Sequence, residues 1–316
     1  MKKILFVIDK LELKYFEFNN LVTNFWMIKE FLTRGCEVYI TTIPQLYLRG
    51  CIARSKCYET FINNENIFYK DVLLDKEIDS FDLVMFRPDP PVDINYINAT
   101  YIFDFVHTKT INSPKAIRSF NEKLHSLYFS EFMSPNIVTS SMKDIELFLK
   151  EHKQIVLKPL NRCFGSGVMY LYDGDPNTHT IINTVTENET SLAMVQEYIP
   201  EVKQGDIRVL TLGDEIIPYS IKKLPGGDDF KFNTHSDSYI VDSGMTKEEY
   251  CYFKPVAEKL NSMGIEMAGL DVINNKIIEI NVTSPCYFIK EMNNLHGIFV
   301  EKMIVDYLLT PALLSL

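Results

Sequence analysis

Two apolar stretches near the C-terminus, GLDVI and IIEINV, flank Asn274 and Asn275 and read as paired antiparallel strands, which limits where the polar side chains inside them can point. Residues two apart on a strand share a face, so Glu279 and Asn281 project to the same side. Where Asp271 goes depends on the turn. A two-residue Asn274-Asn275 turn sets Asp271 opposite Ile278 and sends its side chain to the other face. A three-residue turn over 274–276 sets it across from Glu279, with Ile273 facing Ile277. The three-residue turn is expected, because adjacent carboxylates repel unless a cation lies between them. Asp271, Glu279 and Asn281 then form an all-oxygen set suited to magnesium, which is held by one or two carboxylates plus nucleotide phosphates. Zinc would require His or Cys. A hairpin with solvated acids on its wet face is the plainer alternative.

A chain of 316 residues exceeds one ordinary core and implies two or three domains. The net charge of -10 argues against a nucleic-acid partner, since binding a phosphate backbone needs a basic surface. Nucleotide phosphates would have to be met locally, by a few lysines and a metal. The six cysteines lack CxxC spacing, so neither a disulfide framework nor a zinc site is indicated and a reducing cytoplasm fits best. MKKILFVIDK reads as a first strand rather than a leader, and no stretch is long enough to span a membrane.

The first third alternates strands (KILFVID, CEVYITTI, FDLVMFRP) with helical patterns, the first helix running over about 20–34. That order implies a parallel sheet flanked by helices, with ligands gathering at the carboxyl ends of its strands, where Asp9 and Arg87 sit. A loop cap for Asp9 and a surface position for Arg87 are the plain alternatives. From about residue 121 the pattern becomes a helix (121–131), a strand (137–139), a helix (141–151) and the strand QIVLKPL. A Gly-containing loop, VMYLYD, a helix near Thr180 and AMVQEYIP come next. IRVLTL and EIIPYSI follow, joined at Gly213-Asp214. The polar stretch 225–243 is too long for a simple connector and suits an active-site lid or a disordered loop. Helices are expected over 247–263, before the acidic hairpin, and from about 297 to 309 after it.

Lys158 ends an apolar strand just before Pro159 and the loop NRCFGSG, where Gly165 and Gly167 would let peptide N–H groups approach an anion; a tight hairpin turn would look the same. Lys123, in FNEKL, is an isolated helical lysine whose plain reading is a solvated surface residue. MVQEYIP resembles a strand running into a nucleotide-binding hinge, or any strand end. Asp206 and Arg208 share a strand face and could serve ribose and an anion or simply pair with each other.

The order lysine, lysine with Gly loop, hinge, Asp-x-Arg, lid and metal acids resembles an ATP-grasp ligase. RPDPPVD, NATYI, NEKL, VLKPL, YDGDPN, YIPEVKQGDIRVL, IPYSI, GLDVI and EINVTSP resemble bacterial glutathione synthetase over nearly the whole chain. The resemblance implies an α/β and α+β fold: an N-terminal parallel-sheet substrate domain (1–120) followed by a two-subdomain ATP-grasp fold (121–200 and 201–316). It implies that Lys123 and Lys158 contact ATP, that Glu197, Tyr198 and Ile199 line the adenine hinge, and that Asp206 meets the ribose. Arg208 would steady an acyl phosphate, Arg87 and Ser284 would hold substrate, and Asp271, Glu279 and Asn281 would hold Mg2+, with Mn2+ as the alternative. In the lid, Lys231 and Asn233 would reach the nucleotide. The implied substrates are γ-glutamylcysteine and glycine, and the implied assembly is a cytoplasmic homo-oligomer, often a tetramer.

Two segments depart from the family. Where it carries a Gly-Gly pair with another glycine two residues earlier, this chain has Phe164 and Gly165 after Arg162, and a bulky Phe164 would obstruct a phosphate unless the loop is rebuilt around Gly165 and Gly167. In the lid the family's arginine, asparagine and paired glycines become Lys231, Asn233, Asp237 and Ser238, with Asp228 and Asp229 nearby. The alternatives are therefore an ATP-grasp ligase for another peptide or amino-acid pair, or a nucleotide- or peptide-binding homologue with little turnover.

Overall fold

The structure, a computed structural model, describes residues 1–9, 22–224 and 239–310. The expectations for Lys231, Asn233, Asp228, Asp229, Asp237 and Ser238, and for the first two residues of the N-terminal helix, lie outside the described residues.

The continuous apolar runs at the N-terminus form a parallel core, as strands buried on both faces should. β1 (Lys3–Ile8) lies between β2 (Glu37–Thr42) and β7 (Leu83–Phe86), parallel to both, and β8 (Thr110–Ile111) extends the sheet beyond β7. The sequence reading did not anticipate the antiparallel extension beyond β2. There β3 (Leu46–Arg49), β5 (Asn66–Tyr69) and β6 (Leu74–Glu77) all pair with the long β4 (Ile52–Asn63). Helices α1 (Thr23–Thr33), α2 (Ile94–Ile102) and α3 (Pro114–Arg118) accompany this sheet.

A second sheet, ordered β11-β10-β12-β9, is wholly antiparallel: β9 (Asn136–Thr139), β10 (Gln154–Pro159), β11 (Met169–Tyr172) and β12 (Ala193–Glu197). With α4 (Met142–His152) and α5 (Thr178–Thr186) it encloses a core of its own, built on Ile145, Phe148, Ile155, Leu157, Ile182 and Val195.

The third sheet runs β16-β15-β13-β17-β18. Its strands are β13 (Asp206–Leu212), β15 (Ile221–Leu224), β16 (Tyr239–Asp242), β17 (Met267–Ile273) and β18 (Lys276–Asn281), with the short β14 (Glu215–Ile216) against β13. The end of the expected lid is thus a strand, β16, because Tyr239–Asp242 pairs with β15. α6 (Lys247–Ser262) begins on a capping box between Thr246 and Glu249. The expected last helix is present as α8 (Val300–Leu309), and ahead of it lies one the sequence reading did not anticipate, α7 (Ile289–His296), which ends at Gly297 with a φ of +64°. α8 returns to the N-terminal layer: Ile304, Val305 and Leu308 share one core with Met27, Ile28 and Phe31 of α1 and with Leu210, Ile221 and Met267 of the third sheet.

Asn112 joins the first and third sheets. Its buried amide donates to Met267 O and Val282 O (2.7 Å each) and accepts from Met267 N at 2.8 Å.

Candidate active site

Strand pairing lays a row of charge across the third sheet. Asp206 faces Lys223, Arg208 faces Asp271, and Asp271 faces Glu279. Cross-strand neighbours on one face lie close enough to pair directly. Arg208 grips Asp271 with two donors, Nε at 2.8 Å from Oδ1 and Nη2 at 3.2 Å from Oδ2. Asn281 Nδ2 reaches Oδ2 of the same carboxylate at 3.0 Å, and Lys223 Nζ lies 2.6 Å from Asp206 Oδ2 and 3.5 Å from Asp271 Oδ1. Burial alone would raise the Asp271 carboxyl, but the Arg208 guanidinium and Lys223 hold it below the usual carboxylate range. For Asp206 burial wins over Lys223 and the carboxyl is raised; among the described residues its Oδ1 is buried with no hydrogen-bond partner.

The register arrives where it was expected, by a different route. Ile273 pairs with Lys276, so the turn is the two-residue Asn274-Asn275, with φ of 49° and 59° at the two asparagines, as a type I′ hairpin requires. A shift after Asp271 then inserts Ile278 as a bulge, because Val272 pairs with Ile277 while Asp271 pairs with Glu279. The three-residue turn and the Ile273–Ile277 pair are therefore wrong. Asp271, Glu279 and Asn281 nonetheless share a face, and Lys158 Nζ donates to the bulged Ile278 carbonyl at 3.0 Å.

Both lysines are buried, so the solvated reading of Lys123 fails. It is not helical in the expected sense either. Asn121 Oδ1 accepts from Lys123 N (3.1 Å) and Leu124 N (2.9 Å), forming a turn before the 3-10 segment Leu124–Phe132. From there Lys123 Nζ reaches Glu279 Oε1 at 3.0 Å and Arg162 O at 2.7 Å. Burial lowers Lys158 from 10.5 to about 8, against the opposing pull of Glu279.

In the glycine loop Phe164 adopts a φ of 55° and is 69% exposed, so its ring points to solvent rather than into the loop. Gly165 (φ 69°) and Gly167 (φ 73°) supply the remaining left-handed positions. The loop is thus built around left-handed Phe164, Gly165 and Gly167. At the hinge, Glu197 lies 3.4 Å from His152 Nδ1, the Tyr198 ring packs edge-on to Tyr170 at 4.8 Å, and Ile199 leads into the turn at Pro200–Gln204.

Arg87 is buried, not superficial: Nε donates to Asn24 Oδ1 and Nη2 to Pro285 O, each at 2.8 Å. Ser284 Oγ donates to the Asp89 carboxylate, and Asp89 N donates to Asp9 Oδ1 at 3.0 Å, so Asp9 caps the following loop.

Four contributors escaped the sequence reading. Lys223 completes the charge row from a strand whose register was unknown. Gly269 lies under Arg208, where a β-carbon would come within 2.9 Å of Nη1. Glu122, half-buried, accepts on Oε1 from Val282 N (2.7 Å), Thr283 N (3.1 Å) and Thr283 Oγ1 (3.1 Å), and desolvation together with Glu279 raises its carboxyl. Gln196, before the hinge, keeps Nε2 buried without a partner among the described residues. Gly269, Glu122 and Gln196 carried a signal, as near neighbours of Asp271, Lys123 and Glu197.

Among the described residues no cluster of three or more His, Cys, Asp or Glu could hold a metal alone. The Asp271, Glu279 and Asn281 set instead offers two carboxylates and an amide, hard oxygen donors that fit a divalent ion completing its shell with phosphate and water.

The prokaryotic glutathione synthetase N-terminal domain matches residues 2–118 and the prokaryotic glutathione synthetase ATP-grasp domain matches residues 122–297. Glutathione synthetase of Neisseria meningitidis serogroup B is 33% identical over 97% of this chain and 98% of its own length. The Escherichia coli K12 enzyme of the same name is 31% identical over 90% and 91%. Solved structures show the same fold at low identity. A D-cycloserine synthetase superposes with a TM-score of 0.67 at 13% identity, covering 97% of this chain and 98% of its own. A macrocyclase from Microcystis aeruginosa, bound to its precursor peptide, gives 0.66 at 13%, covering 98% and 99%. With both family regions matched in order and the lysines, Asp-x-Arg pair and acidic hairpin gathered on one site, the chain belongs to the prokaryotic glutathione synthetase family.

Proposed function

We propose that this chain ligates glycine to γ-glutamylcysteine with ATP, as an ATP-dependent carboxylate–amine ligase that yields glutathione, ADP and phosphate. The observation that carries this is the convergence of Lys123, Lys158 and Arg208 on the acids Asp271 and Glu279. An oxygen of the cysteinyl carboxylate attacks the γ-phosphorus of ATP and the bond to the β,γ-bridging oxygen breaks, releasing ADP. Glycine's amine then attacks the acyl carbon, the carbon–oxygen bond to phosphate breaks, and the amine gives up a proton as the amide forms. Lys123, Lys158 and the planar fork of Arg208 stabilise charge on the transferring phosphoryl group. Gly165 and Gly167 present the loop backbone to it, with Lys231 and Asn233 of the lid assigned to the nucleotide as well. Asp206, with one buried oxygen unpartnered among the described residues, accepts from a ribose hydroxyl, and Glu197, Tyr198 and Ile199 line the base. Arg87 and Ser284 receive the peptide.

Asp271, Glu279 and Asn281 would hold Mg2+ or Mn2+, which when bound neutralises phosphate charge. Arg208 already occupies both oxygens of Asp271, so a cation and the guanidinium compete for that carboxylate. In this reading residues 1–120 receive the peptide, and 121–200 with 201–316 clasp ATP. A homo-oligomer, often a tetramer in the family, and a cytoplasmic location complete the proposal; all six cysteines are free, as in a reducing compartment. The altered loop residues Arg162 and Phe164 favour, as a second reading, a different acid and amine on the same machinery. Phosphate release from ATP, measured with γ-glutamylcysteine and glycine together, singly, and with close analogues, tests both. Release that needs the named pair supports the first reading; release only with analogues supports the second.

A further inference from the structure

Arg162 occupies a position where the family carries glycine, inside the loop that faces the phosphates, and the structure holds it at both ends. Its carbonyl accepts from Lys123 Nζ at 2.7 Å. Its side chain lies back over Gly167, where a β-carbon would sit 3.2 Å from Cδ and 3.4 Å from Nη1. Gly167 therefore provides the seat for this arginine: a larger residue would push the guanidinium away. Arg162 also lines a cavity of about 230 Å³ together with Lys123, Glu122, Cys163 and Pro90. Among the described residues no carboxylate forms an ion pair with Arg162, although the protein carries a net charge of -10 and Lys123, Arg208 and Lys223 are each paired with an acid. Arg162 is exposed, so its guanidinium, resting on Gly167 beside a phosphate-binding lysine and with no acid paired to it among the described residues, is open to take an external anion.

We propose that Arg162 contacts the terminal phosphate of the bound nucleotide and the acyl phosphate made from it, adding a second arginine to the phosphate site besides Arg208. The inference rests on the nucleotide reading of the site. Its chemistry follows from the planar fork, which can give two N–H donors to two oxygens of one phosphoryl group, where a backbone glycine loop gives single donors. This would supply, through a side chain, the anion contacts that the family's lost glycine opens to the backbone.

The test compares binding of β,γ-imido-ATP and ADP, each with Mg2+, by calorimetry, in the whole chain and in Arg162→Met, which keeps the hydrocarbon packing on Gly167. The expected result is at least a tenfold loss for the triphosphate with less than a twofold change for ADP, and partial recovery in Arg162→Lys. Equal losses for both nucleotides, or no loss for either, would overturn the proposal. Lys158→Ala separates the two readings. If the parent binds both nucleotides, Lys158→Ala weakens both and Arg162→Met neither, only the role of Arg162 is wrong. If the parent binds neither, the nucleotide site itself is wrong.

Discussion

Lys158 should cost the ligand-free protein stability, and pH should reveal by how much. Its ammonium is buried and its pKa falls from 10.5 to about 8, with desolvation the leading cause. That drop corresponds to about 3 kcal/mol against the charged form in the folded state at pH 7. The sign follows from proton binding: between pH 8 and 10.5 the unfolded chain keeps a proton on Lys158 that the folded chain has released, so stability rises with pH through this window. Integrating the two titrations leaves a penalty of roughly 1 kcal/mol at pH 9.5. Lys158→Met removes the titration while also removing the donor to Ile278 O, a loss on the order of 1–3 kcal/mol that does not vary with pH. The difference in unfolding free energy between parent and variant, from urea titrations, should therefore move by about 2 kcal/mol in favour of the parent between pH 7 and 9.5. A difference that stays flat across that range would refute the claim that Lys158 is charged and desolvated in the free protein.

The kcat/KM for ATP should decline above pH 8 as Lys158 loses its proton, and a profile flat to pH 9.5 would place the phosphate charge elsewhere. Glu279→Gln should lower divalent-dependent turnover on the order of 100-fold or more while the protein still unfolds cooperatively; activity within a few-fold of the parent would remove Glu279 from the metal set. Gly269→Ala should displace the Arg208 guanidinium, lowering turnover with little change in ATP affinity; unchanged kcat would show that Arg208 moves aside without cost. Asn112→Ala leaves Met267 N, Met267 O and Val282 O without their buried partner and should destabilise the fold by about 3 kcal/mol or more, measured by urea titration.

The parallel strands at the N-terminus were legible because both faces of each are apolar, and the acidic hairpin because its polar residues recur at even spacing. β3 to β6 were not, since their alternation is interrupted by charged positions that only strand pairing explains. The hairpin shows the limit of spacing arguments most clearly. A carboxylate pair can be brought into register by lengthening the turn or by bulging a strand, and nothing in GLDVINNKIIEIN states which. Lys123 looked superficial because a charged residue between Glu122 and Leu124 carries no sign of burial; its environment is supplied by Glu279 and Arg162, 156 and 39 positions away.

The sharing of hydrophobic cores has a mechanical consequence. Because α8, α1 and the third sheet pack into one continuous interior, the first and third sheets should move as a single rigid frame carrying Arg87, Arg208, Asp271 and Glu279. The β9–β12 unit has its own interior, and of its buried apolar side chains Met194 is the one that joins a neighbouring core. That unit carries Lys158 and the hinge residues Glu197 and Tyr198. A jaw tied to that core by Met194, with the half-buried Val138 and Leu160 beside it, can swing without breaking its own interior, so opening the cleft need expose little apolar surface. Hydrogen exchange would then show ligand protection concentrated on the jaw's inner strands, with the frame unchanged.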